Sequence, residues 1–102
     1  MGGRGTIMEP KYKYAALTTK NPLLKLLQHD NIEVETDGGM QYWRIYGIRY
    51  GDEINGRRYY RAKLRKYVNR PKLYVGHESL KVIFREFPDS ESASRWMRKG
   101  TV

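Results

Sequence analysis

The apolar residues change their period several times along this chain, and each change marks an expected element. Between Asn21 and His29, Leu23, Leu24, Leu26 and Leu27 recur at one, three and four residues, the spacing of one helix face. Asn21 supplies a capping side chain, and Pro22 suits a first helical turn because its missing N–H has no partner there anyway. The pattern predicts a short helix ending near His29, with its leucines in one stripe that faces the core or a second copy.

From Ile32 the period falls to two. Ile32 and Val34 alternate with Glu33 and Glu35, and Asp37, Gly38 and Gly39 supply a tight turn. A second strand is expected over Met40 to Tyr50, with Trp43, Ile45 and Gly47 on one face and Tyr42, Arg44, Tyr46 and Ile48 on the other. Asn55 and Gly56 signal another turn, returning the chain as a strand from Arg57 to about Val68. Residues 69–79, with Pro71 and Gly76, read as a long excursion with room for a short strand at Leu73 to Val75, before a strand from about Leu80 to Phe87. A final helix starts at Asp89, a good N-cap, with Glu91 in its first turn, Arg98 and Lys99 near its end, and Ala93, Trp96 and Met97 facing inward.

The segment from Arg57 to Val68 admits two readings. As a helix, Tyr60, Leu64 and Tyr67 align at four and three residues. As a strand, Arg57, Tyr59, Arg61, Lys63, Arg65 and Tyr67 share one cationic and aromatic face, against Tyr60, Ala62 and Leu64 on the other. The preceding turn, the β-favouring tyrosines and the following strand favour the extended form. The expected fold is α+β: an antiparallel meander of about four strands packed through one face on two short helices, the opposite face basic. Residues 1–10, with three glycines around Arg4 and no apolar period, read as a flexible arm before a single domain over 11–102.

Charge sharpens this picture. Ten of the twenty basic residues lie between Arg57 and Arg85 against one acid, Glu78, so this stretch alone accounts for the net charge of +9. Such a local field points to a polyanion. Same-face strand residues lie about 6.5–7 Å apart, a spacing that resembles successive phosphates. The interleaved tyrosines add rings able to stack on bases or pack on sugars. The expected site is therefore Arg57, Tyr59, Arg61, Lys63, Arg65 and Tyr67, extended by Arg44 and Tyr46 on the neighbouring strand. The competing use of such a face is an acidic protein partner, since Tyr and Arg also dominate protein interfaces.

Other chemistry finds little support. The chain has no Cys and two His, His29 and His77, far apart and without metal-ligand spacing. Asp37, Asp52, Glu53 and Glu78 can in principle hold Mg²⁺ for a nuclease, but the first three sit in expected turns where acids are ordinary. No phosphate-cradling glycine motif is present, so no enzyme activity, cofactor or metal is expected. With 39% apolar residues and no long uncharged run, no membrane span is expected, and an intracellular location follows from the lack of a signal-like start. A small core and the leucine-rich segment leave apolar surface that a homodimer would cover.

The run from Lys81 to Lys99, KVIFREFPDSESASRWMRK, resembles the last strand and helix of integrase arm-type and ethylene-response-factor-type DNA-binding domains. The Tyr42 to Tyr60 hairpin fits the same pattern. The resemblance covers residues 40–99, interrupted by the excursion at 69–79, and implies a three-stranded sheet on one helix that lays an Arg- and aromatic-rich face into the major groove. The Cys-free, charge-rich composition has a thermophile-like character and is similar to that of orphan proteins of hyperthermophilic archaeal viruses. These readings make the chain a non-enzymatic nucleic-acid-binding protein, with DNA favoured over RNA as partner. A protein-interaction module and a small nuclease are the alternatives.

Overall fold

Two turns place backbone where side chains rarely allow it. Asn55 (φ 54°) and Gly56 (φ 76°) are both left-handed, the geometry of a two-residue hairpin turn whose twist matches that of the strands. Asp37 and Gly38 close a second hairpin, whose positive φ (114°) falls on Gly39, and the Thr36 hydroxyl donates to the Gly39 carbonyl at 2.7 Å. The computed structural model describes residues 12–21, 23–75 and 80–99. Around these turns it forms β1 (Tyr12–Thr19), β2 (Asn31–Thr36), β3 (Gly39–Ile54), β4 (Arg57–Tyr67), β5 (Lys81–Arg85) and α1 (Ser90–Lys99).

All strand pairings are antiparallel, in the order β2-β3-β4-β1-β5. The hairpin-linked strands β2, β3 and β4 are joined by β1 alongside β4, which is a Greek-key arrangement. The sheet curls strongly. Trp43 of β3 and Phe84 of β5 bring their rings to 4.9 Å although β4 and β1 lie between them in the sheet. Val75 bridges Ile32 outside β2, yet β5 begins six residues later on the far edge. Six residues span at most about 22 Å, so the two edges approach each other.

The core fills the concave side of this half-barrel. Ala15 and Leu17 of β1, Ile32 and Val34 of β2, Trp43 and Ile45 of β3, and Tyr60, Ala62 and Leu64 of β4 are all buried there. Val82 and Phe84 pack against them from β5. Each set alternates with outward residues, as the pleat requires.

Several expectations are corrected. The sheet has five strands rather than about four, because residues 12–19 form β1. Among the described residues there is one helix, not two. Over Asn21 to Asp30 the cap forms, with Asn21 Oδ1 accepting from Leu23 N at 2.9 Å, but no helix follows. The cause lies in β3: His29 N donates to Ile45 O at 2.7 Å and Ile45 N donates to Asp30 O at 2.8 Å. His29 adopts φ 78°, which ends any right-handed turn. A segment this short also gains little from helix nucleation. The four leucines therefore share no stripe: Leu26 is buried, while Leu23 is 89% exposed. The expected strand at Leu73 to Val75 reduces to one bridge at Val75. Residues 1–10, Pro22, Gly76, His77 and Glu78 lie outside the described residues.

The layering also differs from expectation. The closed concave face is the core, and the single helix packs on the convex face, the same side as the cationic residues. Asp89 starts this helix as foreseen, its Oδ1 accepting from Ser92 N at 2.7 Å. That hydrogen bond holds the Asp89 carboxyl below its ordinary pKa.

Candidate nucleic-acid interface

β4 fixes the direction of the basic residues. Because Tyr60, Ala62 and Leu64 are buried in the core, Arg57, Tyr59, Arg61, Lys63, Arg65 and Tyr67 project together from the convex face. The extended reading of this segment is the one the chain adopts. β3 lies beside it and contributes Arg44 and Tyr46. A bulge between Ile45 and Gly47 adds one residue to β3, so Tyr46 and Gly47 both turn outward and Ile48 turns inward opposite Ala62. The alternation expected for Gly47 and Ile48 is thus reversed beyond the bulge.

The face is then divided by α1. Arg61 donates from Nη1 to the Trp96 carbonyl at 2.7 Å, and its guanidinium lies 4.8 Å from the Trp96 ring centroid. Arg85 lies over Phe87 and Trp96 at 5.7 and 5.5 Å. Lys63 sits 4.8 Å from the ring of Tyr12, and its Cβ lies 4.0 Å from where a Cβ on Gly47 would be, with Met97 Cε at 3.9 Å. Met97 of α1 thus lies over Gly47, at a distance where a Cβ would make ordinary contact. Burial, then the charge of Arg85, depresses the Arg61 pKa from its ordinary value. Arg61 and Lys63 are thus engaged by rings and by the helix. Arg57 and Tyr59 lie toward the other end of β4, beside Ile54 and Thr18.

Arg44, Tyr46, Arg65 and Tyr67 come together in the remaining part. With Lys66 they line a groove of about 370 Å³. Arg44 and Arg65 are direct partners across the β3–β4 ladder, an arrangement in which like charges repel. Among the described residues neither belongs to an ion pair, the pairs there being Arg58–Glu53 and Arg95–Glu91. Arg44 instead donates to the Tyr67 hydroxyl at 3.3 Å and to His29 Nδ1 at 3.4 Å, leaving its buried Nε without a partner. Hydrogen bonds from Tyr12 and Arg65, followed by the charges of Arg65 and Arg44, pull the Tyr46 hydroxyl below the usual tyrosine range. The Tyr12 hydroxyl is raised in turn, chiefly by the same contact with Tyr46.

A second aromatic group continues the surface. Tyr42 meets Tyr74 edge-on at 5.3 Å, and Arg70 lies 4.9 Å from the Tyr74 ring while donating to its hydroxyl. Glu33 is the acid nearby, accepting from the Tyr42 hydroxyl at 3.1 Å. Tyr74 is among the rings interleaved with the basic stretch and Tyr42 shares the expected face of Arg44 and Tyr46, but neither they nor Lys66 and Arg70 belong to the expected site. Their basic and aromatic character was visible, but Lys66 falls on the core-facing phase of β4, and Arg70 and Tyr74 reach the site only because the excursion folds back along β2.

Among the described residues, no group of His, Asp and Glu is arranged to hold a metal ion. No helix there is long and apolar enough to cross a membrane. No family model, no curated protein and no solved structure matches the chain.

Proposed function

We propose that this protein is a non-enzymatic nucleic-acid-binding protein whose contact surface centres on the groove between Arg44 and Arg65. The observation that supports this reading most is the facing arginine pair. Two guanidinium groups opposed across a ladder repel, and among the described residues no carboxylate pairs with either, whereas a phosphate seated there relieves the repulsion and accepts from both. Lys66 and Arg70 extend the positive strip, and Tyr46 and Tyr67 line it with rings. Phosphate contacts supply affinity while ring contacts engage sugar or base.

The proposed site is narrower than the whole cationic face of β4. Arg61 is held by α1 and Lys63 lies over the Tyr12 and Tyr14 rings, so the binding energy falls on Arg44, Arg65, Lys66 and Arg70. If each of these four meets one phosphate, log affinity falls with log salt at a slope of about −3 on a single strand and near −4 on a duplex. Fluorescence anisotropy with labelled DNA and RNA at several salt concentrations tests this. Salt-dependent binding that is lost in Arg65→Glu is the expected result. Absence of binding to every nucleic acid, or binding indifferent to salt and to Arg65→Glu, removes the reading.

A further inference from the structure

We infer that the groove is a seat for one nucleotide of a single strand, its phosphate between Arg44 and Arg65 and its base or sugar against Tyr46 and Tyr67; this rests on the nucleic-acid reading above. The first argument is the balance of rings to cations. Around the groove and its extension, Tyr12, Tyr46, Tyr67, Tyr42 and Tyr74 accompany Arg44, Arg65, Lys66 and Arg70. Duplex binding through phosphates has no use for so many rings, because paired bases hide their faces in the stack. An unpaired base offers its face, and stacking on an aromatic ring tolerates any sequence.

The second argument is relief. α1 packs on Arg61 through Trp96 and reaches Gly47, the residue after Tyr46, through Met97. A helix is about 10 Å across with its side chains, so α1 rises as a wall from the convex face on the Arg61 and Gly47 side, without itself lining the groove. Duplex DNA stays straight over about 150 base pairs and has to clear that wall before its phosphates reach the arginines. A flexible strand bends into the groove without meeting it. The volume of about 370 Å³ lies at the small end for ligand pockets, suited to one unit rather than a length of backbone. The edge-on packing of Tyr12 on Tyr46, at 5.0 Å, holds the second ring in place before anything binds.

Single-stranded DNA and single-stranded RNA share this chemistry, and both enter the test. Short mixed-sequence oligonucleotides are titrated as single-stranded DNA, as single-stranded RNA and as the corresponding DNA duplex, against the full chain and the variants Tyr46→Ala, Tyr67→Ala and Tyr67→Phe. At least one single strand is expected to bind about tenfold tighter than the duplex. Tyr46→Ala or Tyr67→Ala lowers that affinity by about tenfold, while Tyr67→Phe, which keeps the ring, retains it. Equal or tighter binding of the duplex, or tyrosine variants that bind single strands like the parent, overturns the single-strand seat and leaves nucleic-acid binding standing. Failure of all three nucleic acids to bind removes both.

Discussion

The Arg61 guanidinium lies over the Trp96 ring and donates to that residue's own carbonyl, at 4.8 Å from the ring centroid and 2.7 Å from the oxygen. One side chain thus ties β4 to the last turns of α1 through a ring and a backbone acceptor together. Phe87 completes the contact, 5.4 Å from the Trp96 ring. Trp96→Ala removes the ring from this cluster and is expected to cost about 1–3 kcal/mol, combining a cation–π contact with lost packing. The urea midpoint reads that loss, and the near-ultraviolet dichroism shows whether α1 has left the sheet. An unchanged midpoint contradicts the role given to this pair.

Trp43 closes the half-barrel by meeting Phe84 across the interior. It is 3% exposed and belongs to a strand separated from β5 by two others in the sheet. Trp43→Ala opens a cavity between the sheet edges, with an expected loss of about 3–5 kcal/mol. In a domain of this size such a loss is a large part of the total stability. Leu23→Ala, at a residue almost fully exposed, is the contrast and leaves the midpoint nearly unchanged.

The strands and turns were legible where a strong period coincided with turn chemistry. Ile32 and Val34, Trp43 and Ile45, and the Asn55-Gly56 turn are all used as their pattern implies. β1 was not legible, because its inward residues are Ala15, Leu17 and Thr19, two of them small or polar. Burial of such residues is decided by strands distant in sequence. The leucine segment misled for a related reason: its backbone bonds to β3, and helix-like spacing carries no record of that. The direction of the β4 side chains could be read from alternation alone. That α1 would rest on Arg61 could not, since the helix also lies over Gly47, which a bulge turns outward.

Tyr46 makes the groove sensitive to alkaline pH. Its hydroxyl pKa is lowered by the hydrogen bonds from Tyr12 and Arg65, so it ionises earlier than an ordinary tyrosine. Because the folded value lies below the unfolded one, ionisation favours the folded state as pH rises through the lowered value toward about 10. The same charge, placed beside Arg44 and Arg65, opposes an incoming phosphate. Nucleic-acid affinity is therefore expected to fall with rising pH below the ordinary tyrosine range, and Tyr46→Phe to abolish this component. Ultraviolet titration of the tyrosinate band, run beside the binding curve, checks both halves.

The central claim is that the facing arginines Arg44 and Arg65 are where a polyanion sits, and resonance mapping tests it most directly. A ¹⁵N-labelled sample titrated with a single-stranded oligonucleotide should show its largest shifts at the Nε–H of Arg44, now supplied with an acceptor, and at Arg65, Tyr67 and Tyr46. The Leu27 and Tyr50 amides, on the apolar groove elsewhere on the molecule, should remain in place. Shifts confined to Arg57 and Tyr59, or a spectrum unmoved by any oligonucleotide, would contradict the account.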